Sequence, residues 1–226
     1  MATGTVIALL YFQFAGDWVA TAWSAVIAVL LGMALFLKRA VFLQQALLLS
    51  CGTLARGLLH NLFGSSYFTG RSWEGRFLVL GSAIALMLLS LPIAFRLRGP
   101  FGPVTGKSKL RRMASAAVRH PEQFMFFVPV VLLTVLLALK MNHGMVTVSW
   151  GIEGLAIFVG ALLVKERSFR LAGLAILLLC VGKIAIIDAW QLAPRDRYIT
   201  FIILGASLLL VSFLYSKYRE TMRQYL

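Results

Sequence analysis

Apolar residues in this chain gather into long runs separated by short charged, polar or turn-forming stretches. Eight runs fall near residues 2–14, 18–37, 40–62, 77–95, 124–140, 145–164, 171–188 and 198–215. They do not alternate at every second position, as the strands of a membrane β-barrel would. Most approach the roughly 20 residues that a helix needs to cross about 30 Å of hydrocarbon. The pattern predicts an all-α, polytopic transmembrane helix bundle of about eight helices, or seven if the short first run does not span. Asp17 and the Asn142-His143-Gly144 stretch mark tight turns between neighbouring helices.

Composition strengthens this picture. The 226 residues are 60% hydrophobic with a mean hydropathy of +0.87, more apolar than a soluble domain can bury. The formal charge of +14 would suggest a nucleic-acid partner for a water-soluble chain. In a membrane protein it has a simpler source, because cytoplasmic loops collect Lys and Arg; no nucleic-acid partner is expected. Threading eight spans puts 15 basic residues on one side and 5 on the other, with Arg56 and Lys183 inside spans. The asymmetry places the C-terminus in the cytoplasm and the chain in a cytoplasmic (inner) membrane. Trp18, Trp73 and Trp190 then fall near the outer boundary, as interfacial tryptophans do. Cys51 and Cys180 both lie inside apolar runs and read as packing residues, not as a disulfide or metal pair. The N-terminus shows no cleavable signal.

A weak internal repeat is visible at an offset of 127 residues. Trp23 then meets Trp150, Lys38 meets Lys165, Phe42 meets Phe169, Arg56 meets Lys183 and Asn61 meets Asp188. Only 7 of 44 aligned positions are identical, so the weight rests on the rarer residues and on the recurring intramembrane cation. The organisation expected is two tandem four-helix repeats, 1–98 and 123–226, joined by a basic cytoplasmic loop at 99–122. Both copies would share one orientation, related by an axis along the membrane normal.

Charges inside apolar runs are the natural places to look for function. Lys183 lies about 9 Å from the outer end of its helix at 1.5 Å per residue. Glu153, in the preceding helix of the same hairpin, is expected to pair with it or to share a polar cavity; the alternative is a lysine that snorkels to the headgroups. Asp188 is better placed to meet Arg195 or Arg197. Arg56 has His60 at i+4, and a functional reading would bring it towards Glu153. Arg56, Glu153, Lys183 and Asp188 therefore form the candidate intramembrane polar site, in the outer half. In the longest inner loop, apolar residues between Lys107 and Arg119 share one helical face. Lys107, Lys109, Arg111, Arg112 and Arg119 are expected to contact anionic lipid headgroups on the cytoplasmic face. No metalloprotease, nucleotide-loop, serine-elbow or paired-cysteine motif is present. His120 and Glu122 are too sparse for a metal site, and no catalytic residue, metal or cofactor is expected.

The C-terminal stretch combines WGIEGLA, KERSFRLAGLAILLLCVGKIAIIDAWQL and RYITFIILGASLLLVSFLYSKY. It resembles the bacterial predicted membrane proteins called domain of unknown function 2339, through Trp150, Glu153, Gly154, Arg170, Gly173, Lys183, Asp188, Gly205, Ser212 and Tyr215. The specific similarity covers 145–219, while residues 1–140 match as generic apolar helices. The resemblance implies a transmembrane helix array and names no activity. Three function classes follow. The favoured one is a non-enzymatic membrane component or accessory subunit of the cell envelope, with a membrane-protein partner or a second copy of itself. The alternative is a carrier or flippase for a lipid-like or anionic solute. A membrane-embedded enzyme has little support.

Overall fold

The computed structural model describes residues 2–13, 16, 18–62, 73–99, 117–141, 143–184 and 194–217. Each of the eight apolar runs contains a helix, and no strand occurs among the described residues. In chain order these are α1 (Ala2–Gln13), α2 (Val19–Leu37), α3 (Ala40–Arg56, continued by a π-helical turn Gly57–Leu62) and α4 (Trp73–Leu89). They are followed by α5 (Leu91–Arg96), α6 (Pro121–Lys140), α7 (His143–Val164), α8 (Arg167–Lys183) and α9 (Pro194–Lys217). The fourth run is split between α4 and α5. Pro92 has no N–H to donate and crowds the carbonyl four residues back, so the helix breaks at Ser90.

Among the described residues, five spans are long and apolar enough to cross a membrane: Val19–Leu37, Ala40–Leu62, Phe77–Arg96, Pro121–Lys140 and Met145–Val164. Helix α1, at 12 residues, would be only about 18 Å long. Helix α8 has 17 residues, and in α9 the apolar stretch is Phe201–Phe213. The chain is thus an all-helical protein with several membrane-crossing helices.

Packing divides it into two compact units, Met1–Leu136 and Leu137–Leu226. In the first, α2 and α3 form a hairpin whose inner faces meet through Ile27, Leu31 and Ala34 and through Leu43, Ala46 and Leu47. Helix α4 adds Leu80, Ile84 and Met87, and α6 adds Met125, Val128 and Leu132. Thr21 helps to fix α4 on α2, donating to the Val79 carbonyl at 2.9 Å and lying 3.1 Å from the Ser82 hydroxyl. In the second unit α7 and α8 form a hairpin, and Val211 of α9 packs on Phe158 and Leu177. Here the backbones approach closely at Gly154 and Gly173. Small residues at helix contacts are the usual device where lipid removes the hydrophobic incentive to associate.

The polar groups and the exterior follow the same logic. Buried Ser24, Ser50, Thr53 and Ser207 each donate to a carbonyl three or four residues back in their own helix. A hydroxyl in hydrocarbon is thereby satisfied without a partner helix. Phe36 and Leu163 are more than 80% exposed, and Leu178 and Leu209 more than 70%. In water such a surface would drive association; facing lipid it needs no cover.

The two hairpins match at the 127-residue offset in backbone as well as in sequence. Lys38 and Lys165 both adopt the left-handed conformation, with φ of 52° and 60°. The next residues, Arg39 and Glu166, are both extended, at φ −108°, ψ 120° and φ −97°, ψ 121°. The second helices, Ala40–Arg56 and Arg167–Lys183, are each 17 residues long, and each is followed by π-type backbone. Buried Val19, Ala20, Ser24, Ile27, Leu31 and Ala34 correspond to buried Val146, Thr147, Gly151, Gly154, Phe158 and Ala161. Ala46, Leu49, Ser50 and Thr53 likewise correspond to Gly173, Ile176, Leu177 and Cys180, all buried. Helix α6, grouped by sequence with the second half, packs with the first unit up to Leu136.

Candidate functional site

Each hairpin has a turn end, at Lys38 or Lys165, and an open end where its second helix stops. The two cations that the sequence sets inside apolar runs both lie at open ends. Arg56 is the last residue of α3 and Lys183 the last of α8.

Lys183 is half-buried, and its Nζ donates to Thr147 Oγ1 at 2.7 Å. Thr147 is in the second turn of α7, so the ammonium is drawn across the hairpin towards its open end. A hydrogen bond from a charged donor contributes about 1.5–3 kcal/mol. Trp150 packs beside it against Cys180 and Ile184, and the Cys180 thiol lies 3.7 Å from the Thr147 carbonyl. Glu153 is buried at 7% exposure, six residues further into α7 than Thr147, or about 9 Å along the axis. Asp188 lies outside the described residues.

Arg56 belongs to the first unit and Glu153 to the second. Arg56 reaches the start of its own hairpin, where Nη2 donates to the Gly16 carbonyl at 2.9 Å. Its guanidinium carbon also stands 5.1 Å from the centre of the Tyr11 ring, within cation–π range. His60 approaches the same glycine, since a Cβ on Gly16 would lie 3.0 Å from His60 Nε2 and 3.6 Å from Arg56 Nη2.

A third polar group stands where α6 begins. Glu122, in the first turn of α6, is 1% exposed, although its sequence position reads as a solvated loop. Its Oε1 is 3.5 Å from Arg98 Nε and 3.1 Å from His120 Nδ1. These contacts tie together the two ends of the basic connector. Of the residues expected to meet headgroups, Lys107, Lys109, Arg111 and Arg112 lie outside the described residues. Arg119 is exposed on a short helical turn beside buried Val118.

Sequence reasoning missed Thr147, Tyr11, Gly16 and the burial of Glu122. Pro121 is the signal that could have found Glu122, because proline favours the first helical position and puts the next residue inside the helix. The first unit also has an open groove of about 250 Å³ between Cys51 and Leu54 of α3 and Phe124, Phe127, Val128 and Val131 of α6. Its lining is apolar apart from Gln123 and the free thiol of Cys51.

Comparison with curated proteins and with solved structures finds no match to this chain. A family model does match, and it extends well beyond the C-terminal stretch that carries the sequence resemblance. Residues 1–218 fit the model described as "Predicted membrane protein (DUF2339)", and the chain belongs to that family.

Proposed function

We propose that this multi-pass membrane protein is a non-enzymatic component or accessory subunit of the cell envelope, built on two copies of one helical hairpin. The observation that carries the reading is how each intramembrane cation is engaged. Arg56 and Lys183 each reach back to the start of their own hairpin, to Gly16 and Thr147. Charges used in this way hold helices in register, as a structural component requires. The matched turns, helix lengths and buried positions support duplication of the hairpin. A carrier or flippase for a lipid-like or anionic solute is the alternative, favoured by the Arg56 Nε, which has no acceptor among the described residues.

Copurification from native membranes in mild detergent tests the choice. A stoichiometric protein partner, or a defined homo-oligomer, is the expected result. Recovery of the chain alone with a bound solute would replace the component reading with the carrier.

The orientation proposed puts the open ends outside and the basic connector and C-terminus in the cytoplasm of an inner membrane. There the connector would rest on anionic headgroups. Reporter fusions after Lys107 and after Arg195 should report opposite compartments, the first cytoplasmic. Two fusions reporting the same side would overturn the orientation.

A further inference from the structure

We propose that the groove between α3 and α6 binds one acyl chain of an anionic phospholipid, with the phosphate held at the basic start of α6. The inference goes beyond the reading above and holds for a component or a carrier alike.

Both walls of the groove belong to spans able to cross a membrane, Ala40–Leu62 and Pro121–Lys140. Its lining on α6 runs from Gln123 in the first turn to Val131, about 12 Å along the axis at 1.5 Å per residue. Just beyond, the helices close on each other, since a Cβ on Gly57 would stand 2.7 Å from Leu132 Cδ2. Cys51, Phe127 and Val131 are exposed, so among the described residues the groove opens sideways. Water is a poor occupant, because an ordered water needs about two to four polar partners and these walls are almost wholly apolar. Hydrocarbon, by contrast, makes dispersion contacts with every wall. A slender, flexible chain fits such a slot. A second helix, about 10 Å across, would rest over a groove of about 250 Å³ without filling it.

The end of the groove at the start of α6 is chemically different. His120 precedes Gln123 and Phe124 by three and four residues, which sets it on the groove-lining side of α6. Its carbonyl accepts from the Gln123 N–H at 3.1 Å. The half-exposed side chains of His120 and Arg98 both contact the Glu122 carboxylate, and Arg119 beside them is exposed. Two guanidiniums and an imidazole thus share one carboxylate, which leaves positive charge where the groove begins. A phosphate ester complements it, because its oxygens accept strongly from guanidinium donors. The connector is the other local candidate, since it leads into this turn. Its Leu110 and Met113 are flanked by Lys109, Arg111 and Arg112, and drawing those cations into hydrocarbon is costly. An anionic phospholipid instead brings an apolar chain to the slot and an anion to its basic end.

The test uses the full chain in uncharged detergent, titrated with phosphatidylglycerol and, separately, with diacylglycerol, which lacks the phosphate. Bound lipid is counted by native mass spectrometry. Phosphatidylglycerol should bind, and more tightly than diacylglycerol. Val131→Trp fills the groove from an exposed position and should weaken binding of both lipids about tenfold. Val29→Trp, on the exposed face of α2, should leave both unchanged. Arg119→Gln should weaken phosphatidylglycerol by about two- to fivefold, the range for an exposed charge pair, without affecting diacylglycerol. Cys51 also reports what occupies the groove in native membranes, because Cys180 is buried. Oxidation that links Cys51 to Cys51 of a second copy, or to the connector in Met113→Cys, would seat a protein segment there and overturn the proposal. Equal binding of diacylglycerol, or unaltered affinity in both Val131→Trp and Arg119→Gln, would overturn it as well.

Discussion

Gly173→Val should abolish the folded second unit, with a loss of more than about 3 kcal/mol. A Cβ at Gly173 would stand 2.8 Å from the Phe158 nitrogen, 2.9 Å from the Gly154 carbonyl oxygen and 3.0 Å from the Phe158 Cα. All three are backbone atoms, so no rotamer change relieves the clash and α7 and α8 must separate. Separation would also pull Leu177 from Phe158, around which α9 packs. Gly173→Ala should show an intermediate loss, because one methyl already meets the same atoms. Gly160→Ala is the control: nothing lies within 4 Å of a Cβ there, and alanine favours a helix by up to about 1 kcal/mol. Thermal unfolding in detergent, followed by near-UV circular dichroism, reads the difference. A valine variant that melts within about two degrees of the unaltered chain would show that the close approach is not needed.

Gly173 also illustrates what the sequence does and does not disclose. The helices themselves are legible, because runs of about twenty apolar residues and the punctuation between them are local features. Lys38 and Lys165 can be placed at turns from sequence, and the structure gives both the same left-handed backbone. Which glycine stands at a helix contact is not local. Gly160 and Gly173 read alike along the chain, yet one faces open space and the other a backbone. The rotations of α7 and α8 about their own axes decide that, and rotation follows from the sum of contacts on all sides. The candidate site was legible to the same degree. Arg56, Glu153 and Lys183 stand out as charges in apolar runs, and two of them mark the open ends of hairpins. Their partners do not stand out, because a threonine or a glycine carbonyl carries no signal in sequence. The number of spans is least legible: α1 is helical but short, and length in residues does not decide whether such a helix crosses.

The cluster at the start of α6 gives a second large effect, with an asymmetry that tests its physics. Glu122 is 1% exposed, whereas Arg98 and His120 are 43% and 42% exposed. Removing Arg98 leaves the buried carboxylate with a weaker partner set, since Oε2 already has none among the described residues. Arg98→Met should therefore cost about 2–4 kcal/mol, near the range for breaking a buried pair. Removing the acid instead leaves two half-exposed groups that can return to water. Glu122→Met fills a similar volume, avoids desolvating a charge and loses only the favourable interaction with the α6 N-terminus, about 0.3–1 kcal/mol. It should cost less than about 1 kcal/mol in all. The double variant should resemble Glu122→Met alone, so the two substitutions will fail to add by about 2–4 kcal/mol. Unfolding of the four proteins in one detergent measures the cycle. Were Glu122→Met to prove as damaging as Arg98→Met, the carboxylate would itself be a source of stability, and the connector ends would be held by the acid, not merely made to accommodate it.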